Sequence, residues 1–225
     1  MKKIVTAALL AFTCANMAVA QNDPKARAVL NEVSNKYKTY SNVKTDFTYT
    51  LNNPKAGVNE TMTGTLYAKA KSAKYKVVLY KKDNGKNAVN QELISDGKTQ
   101  WTYLKKDNEV QVNEVDNSNE ALNPSQLFTI YERGFKYNYN GEQKVGGVAY
   151  HVIDLTPTDP KKQIFKVRLM IDKAKKQIYS AQIFDKGGSR YTYTLKTFVP
   201  NTAVPETTFA FDAKQYPGVE VVDLR

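Results

Sequence analysis

The chain has 225 residues, of which 41% are hydrophobic and 24% charged, with a formal net charge of +11, one histidine and one cysteine. So few imidazoles and thiols exclude the usual His/Cys zinc clusters and leave little for cysteine or histidine catalysis. The basic excess can steer a chain to an anionic membrane face or an acidic partner. Nucleic acid is not an expected partner, since no recognition motif is present.

Lys2 and Lys3 precede an apolar run from Ile4 to Phe12, and Ala18-Val19-Ala20 gives a small-x-small cleavage pattern. Residues 1–20 therefore read as a secretory signal peptide, with the mature chain starting at Gln21. Ala11, Phe12 and Thr13 fit poorly before a lipidated cysteine, so Cys14 is expected to leave with the signal. The mature chain would then hold no thiol, disulfide or cysteine metal site. Without Lys2 and Lys3, the 33 basic and 22 acidic residues leave +9. Residues 21–225 contain no Pro/Ser-rich linker and are long enough for one core.

Asp23-Pro24 is a cap followed by a proline suited to the first helical position. Ala26, Val29, Leu30, Val33, Tyr37 and Tyr40 follow at helical spacing, predicting a helix to about Tyr40. Such a helix opening a β chain packs on, or inside, a curved sheet. Strand alternation then takes over. Val43, Thr45, Phe47, Tyr49 and Leu51 share one face; so do Met62, Gly64, Leu66 and Ala68; so do Tyr75, Val77 and Leu79. Turns are expected at 52–57, at Asp83-Asn84-Gly85-Lys86 and at Asp96-Gly97. Trp101 and Tyr103 share a face of the next strand, and Val110 and Val112 belong to another.

Leu122–Gly134 reads as a second helix. Asn123 caps it, Pro124 starts it, and Gly134 suits the left-handed residue after its end. Leu127, Phe128, Ile130 and Tyr131 cluster on one side. That greasy side lies over an apolar cavity or simply plugs a sheet end. Strands resume at Phe135–Tyr139, with a turn at Asn140-Gly141, then Val148–Leu155, Ile164–Ile171, Gln177–Phe184 and Tyr191–Val199. About eleven short strands in successive hairpins predict a mainly β, single-domain fold: an incomplete antiparallel β-barrel with a helical lid.

Catalytic signatures are sparse. His151 alternates with Ala149 and Ile153 in a strand, where a structural role suffices. No G-x-S-x-G elbow, H-E-x-x-H, P-loop or G-x-G-x-x-G occurs. Neither an enzyme nor a cofactor is expected.

Ser95-Asp96-Gly97-Lys98-Thr99-Gln100-Trp101-Thr102-Tyr103 resembles a hairpin of the periplasmic outer-membrane lipoprotein carrier family, LolA. The likeness runs in order along nearly the whole mature chain. It takes in the opening helix, Phe47-Thr48, Gly64-Thr65-Leu66-Tyr67 and the capped central helix. It continues through Tyr193-Thr194-Leu195-Lys196 and ends at Phe209–Arg225 with Pro217-Gly218-Val219. The resemblance implies an unclosed barrel with helices as its lid. It implies a monomer that takes the acyl chains of lipoproteins from an inner-membrane lipoprotein-releasing transporter. The cargo then crosses the periplasm to the outer membrane and a receptor there. On this reading Phe47, Tyr49, Leu66, Tyr75, Val77 and Trp101 line the cavity, and Leu127, Phe128, Ile130 and Tyr131 face them from the lid. A related lipid-sensing module bound to a regulatory partner, or an envelope hydrolase, are the alternatives. In one respect the sequence departs from the family. The second strand there ends in Arg-Pro, whose arginine latches the lid; here Lys69-Ala70-Lys71 stands in its place.

Overall fold

The computed structural model describes residues 23–115, 131 and 134–225. The signal-peptide reading, and the central helix apart from Tyr131 and Gly134, lie outside the described residues. Helix α1 spans Pro24–Lys38. Strands β1 to β6 are Asn42–Asn53, Val58–Lys69, Lys74–Asp83, Lys86–Asp96, Thr99–Leu104 and Glu109–Glu114. Strands β7 to β10 are Phe135–Val145, Val148–Pro157, Ile164–Asp172 and Gln177–Asp185. Then come β11 (Arg190–Leu195), β12 (Val199–Pro200) and β13 (Glu220–Asp223), with 3-10 turns at Glu206–Phe209 and Ala213–Gln215.

All thirteen strands form one sheet in the order β13-β6-β5-β4-β3-β2-β1-β11-β10-β9-β8-β7, with β12 also on β1. The ends of this path do not pair with each other, so the sheet is unclosed. The expected eleven strands are β1 to β11; β12 and β13 are additional. The reading of Tyr191–Val199 as one strand is corrected: the chain leaves β11 after Leu195 and returns as β12. Asp46 holds this bend, its carboxylate accepting from Thr65 Oγ1 at 2.7 Å and Thr197 Oγ1 at 2.9 Å. Its carbonyl also accepts from the Lys196 amide at 2.7 Å.

The antiparallel expectation holds except at β13, which pairs parallel to β6. Asn140-Gly141 is not the hairpin turn. It lies inside β7 as a bulge, with the register shifting between Tyr139 and Glu142, and the chain turns at Gly146-Gly147 instead. Both glycines there have positive φ, 55° and 81°. The expected turn at Asn84-Gly85 forms, with φ of 49° and 79°, as a two-residue hairpin of the mirror type demands. Gly134 has φ 75°, the left-handed conformation expected of it.

One side of the sheet wraps around α1. Ala26, Val29, Leu30, Val33 and Tyr37 of the helix join one apolar cluster with residues from β1, β2, β3, β8, β9 and β10. This burial, not intrinsic propensity, is what stabilises a 15-residue helix. Asp23 fixes its start. Oδ1 accepts from the amides of Lys25 and Ala26 at 2.8 and 3.1 Å, and Oδ2 accepts from the Tyr139 amide at 3.3 Å. The Asp23 amide in turn donates to Tyr137 O at 3.2 Å. A single residue thus caps the helix and pairs with the outer edge of β7. The Ala26 amide, above all, holds its carboxyl below the usual carboxylate range.

We expect Asp23→Ala to lower the melting temperature by a few degrees at neutral pH, and Asp23→Asn to lower it less, because an amide oxygen still caps. A depressed carboxyl stabilises only while ionised. The difference between wild type and Asp23→Ala should therefore shrink as pH falls through and below 3.8 in thermal-melt series.

Candidate functional site

Pairing register decides which residues share the enclosed face. Phe47 pairs with Gly64 and Tyr49 with Met62 across β1 and β2. Leu66 pairs with Val77, and Ala68 with Tyr75, across β2 and β3. Directly opposite residues point to the same side. Phe47, Tyr49, Leu66, Tyr75 and Val77 therefore stand on one wall, and all five belong to or pack against the α1 cluster. On the other flank Phe47 pairs with Leu195 and Tyr49 with Tyr193, extending the wall through β11.

Trp101, expected with them, stands on the opposite face. It pairs with Ile94, whereas Leu93 is the β4 residue aligned with Val77. Alternation along β5 then sends Trp101 outward. There it joins a second cluster with Tyr103, Val110, Val112, Phe211, Tyr216 and Val219. Its ring stacks on Phe211 at 6.3 Å, and Phe211 stacks on Tyr216 at 5.0 Å. The Tyr216 hydroxyl donates to Glu92 at 2.7 Å, and Lys76 pairs with the same oxygen at 2.8 Å. The C-terminal segment is therefore a strap over the outside of β3 to β6. Of the proposed lid residues, Tyr131 is 5% exposed and sits in the α1 cluster. Leu127, Phe128 and Ile130 lie outside the described residues.

The enclosed wall is graded along its length. Val43, Thr45 and Phe47 of β1 are buried, then Tyr49, Leu51 and Asn53 are half-buried. Tyr75 and Val77 are buried but Leu79 is not. Tyr191 and Tyr193 are half-buried opposite Leu51 and Tyr49. The end of the sheet carrying the β1-β2 and β10-β11 turns is thus lined by side chains that are apolar in body and polar at the tip. Sequence alternation missed Tyr191 and Tyr193 as wall residues; their period-2 spacing was the available signal. The Tyr49 and Tyr193 rings are 5.1 Å apart, and those of Phe47 and Tyr193 5.9 Å. Burial raises the Tyr49 and Tyr193 phenols above their ordinary pKa and pushes Tyr75 up to about 12. The Tyr75 hydroxyl donates to Gln100. These phenols remain neutral hydrogen-bonding groups in a greasy wall and are poorly suited to act as bases.

His151 lies at the edge of this wall, its Nδ1 2.9 Å from the Tyr139 hydroxyl. Burial first, then the Lys173 charge, lowers its pKa. Lys173 is drawn to Glu142 at 2.6 Å. No cluster of three or more metal-ligating side chains occurs among the described residues.

The family of outer membrane lipoprotein carrier protein LolA matches residues 38–212. The chain belongs to the LolA family. No curated protein sequence matches it. Among solved structures, an uncharacterized conserved protein from Thermus thermophilus has a TM-score of 0.53 at 16% identity, over 88% of this chain and 99% of that one. A DUF1329 family protein from Desulfovibrio piger gives 0.50 at 13%, over 82% and 97%. A putative outer membrane lipoprotein-sorting protein domain from Vibrio parahaemolyticus gives 0.49 at 13%, over 82% and 96%. At such identities the first two likenesses speak for the fold alone.

Where the LolA resemblance implied an Arg-Pro latch, β2 ends in Lys69, which turns to the outside. Lys69 and Lys74 both pair with Glu206 of the C-terminal strap. The cations at this strand end hold the strap.

Gly64 shows how tightly the wall is built. A Cβ there would lie 2.5 Å from Phe47 Cζ, inside the ring's contact distance. Gly64→Ala must displace Phe47, and should cost about 1–3 kcal/mol in denaturant unfolding. Phe47→Leu, combined with it, should recover part of that loss.

His151 gives a second expectation. A histidine whose pKa falls on folding resists protonation only in the native state. Its stabilising contribution is complete above the unfolded value of 6.5 and is lost as pH drops below that value and through the lowered native one. His151→Gln should remove that step from the pH-stability curve while leaving ligand binding at neutral pH unchanged.

Proposed function

We propose that this LolA-family chain is a periplasmic carrier that holds the acyl chains of lipoproteins against its enclosed wall, moving them from the inner to the outer membrane. The observation that carries this reading is the continuous apolar cluster on one face of an unclosed sheet, grading into half-buried tyrosines. An acyl chain needs apolar area, about 0.8 kcal/mol for each methylene removed from water, and no directed chemistry. Phe47, Leu66, Tyr75 and Val77 form the deep wall, Tyr49 its shallower part, and Tyr131 a contact from the opposite side. Leu127, Phe128 and Ile130 complete the cover in this proposal and move aside when cargo enters. An inner-membrane lipoprotein-releasing transporter would supply the cargo and an outer-membrane receptor would take it. In this proposal the protein works as a monomer and without a cofactor, because sequestration needs neither a second copy nor a reactive group.

Displacement of a fluorescent fatty-acyl probe, read beside thermal unfolding, tests this. Tyr49→Ser with Leu79→Ser should weaken the probe by roughly tenfold or more, since each half-buried side chain gives up about half of 1.5–3 kcal/mol. The melting temperature should fall by several degrees, because both side chains already pack against the core in the empty protein, so probe affinity is compared at a temperature where both proteins are folded. Unaltered probe affinity, or failure of the wild type to bind any acyl probe, would sink the carrier reading. Mass spectrometry of gently purified protein separates the alternatives: an acylated protein supports a carrier, and a tightly held non-lipid regulator supports a sensing module.

A further inference from the structure

Phe165 is the sole aromatic among the exposed large hydrophobic side chains of the described residues, at 46% exposure. Strand alternation from Val167 would send it inward. Instead the β9-β10 register shifts between Phe184 and Asp185, so Ile164 joins the core and Phe165 is turned out. Its ring lies 6.1 Å from that of Phe184. Lys166 Nζ is 4.2 Å from the Phe184 centroid, and the Arg190 guanidinium is 5.9 Å away.

The patch continues into the adjoining turns. Asn53 donates to Ser189 Oγ at 2.9 Å, bringing the β1-β2 turn against the β10-β11 turn. The Lys55 stem lies along Gly188, where a Cβ would be 3.3 Å from its Cδ. Lys186 sits in the same turn and is exposed, its ammonium donating to Pro160 O at 2.6 Å. The nearby carboxylates serve the turns: Asp159 accepts from the Lys161 amide at 2.8 Å, and Asp185 accepts from the Ser189 amide at 3.0 Å. Lys166, Lys186 and Arg190 have no carboxylate partner among the described residues. At the opposite end, by contrast, Lys173 and Lys176 are paired with Glu142 and Glu32.

An exposed phenylalanine beside a half-buried one, ringed by cations that lack a carboxylate partner and sit on long apolar stems, matches one surface in particular, an anionic bilayer. We propose that this tip docks on anionic phospholipid. Phe165 and Phe184 enter the interfacial layer, and Lys55, Lys166, Lys186 and Arg190 meet the headgroup phosphates. The docking surface is separate from the enclosed wall and does not depend on what that wall carries. It would set the half-buried tyrosine end of the sheet close to the membrane.

Co-sedimentation of the mature chain with phosphatidylcholine vesicles, with and without phosphatidylglycerol, tests this. Binding should require phosphatidylglycerol and weaken with salt. Lys166→Glu with Arg190→Glu should reduce it at least tenfold, since each surface cation contributes roughly fivefold. Phe165→Ser should reduce it several-fold. Both changes are on the surface, and unchanged probe displacement and melting temperature will confirm that the variants are folded. Lys98→Glu with Lys144→Glu, at the opposite end, makes the same change in net charge and should reduce binding far less. Equal loss in that control pair would mean that overall charge alone is at work, and would overturn the proposal. So would equal binding to neutral vesicles. Absence of binding by the wild type would also overturn it, and would leave the patch to a protein partner.

Discussion

The fold depends on a sheet whose two edges never meet. A closed barrel satisfies its own edges and encloses its own interior. This sheet does neither, so each edge and the inner face need something else. Asp23 meets the β7 edge by pairing with the backbone of Tyr137 and Tyr139, and β13 meets the β6 edge. Helix α1 fills the inner face and is held there by the same Asp23. The apolar surface left beyond the helix is what gives a binding protein its capacity. Its existence follows from the failure to close.

The two faces divide the work. The inner face is built mainly from aliphatic and aromatic side chains, with Tyr49, Tyr191 and Tyr193 gathered at its shallow end. The outer face of β3 to β6 is covered by the C-terminal strap, through Phe209, Phe211 and Tyr216. That strap is anchored by charged groups: Lys69 and Lys74 on Glu206, and Tyr216 and Lys76 on Glu92. Basic side chains thus stand in at least two distinct settings, holding the strap and, at the strand tips, lacking a carboxylate partner among the described residues.

Eleven strands and α1 were legible because alternation and helical spacing are local signals. Phe47, Tyr49, Leu66, Tyr75 and Val77 could be grouped for the same reason. Trp101 could not be placed, because alternation says which residues share a face and is silent on which face that is; only the Ile94 pairing decides it. Asn140-Gly141 carried as strong a turn signal as Gly146-Gly147. The longer ladder with β8 selects the second and turns the first into a bulge. Strand β13 is four residues long and mostly polar at its ends, so only its tertiary partner reveals it. Alternation from Val167 would group Phe165 with the core, and only the register shift against β10 turns it out.

The seam between β1 and β11 has a consequence for the order of assembly. Residues 42–53 must wait for residues 190–195, with nine strands in between. The β6 edge, residues 109–114, waits for residues 220–223. Distant pairings of this kind form more slowly than the successive hairpins that make up the rest of the sheet. During chain delivery, β1 to β6 would therefore present two open edges together with an uncovered apolar face. Until β11 and β13 pair with them, those edges are the places where such a chain is most open to self-association.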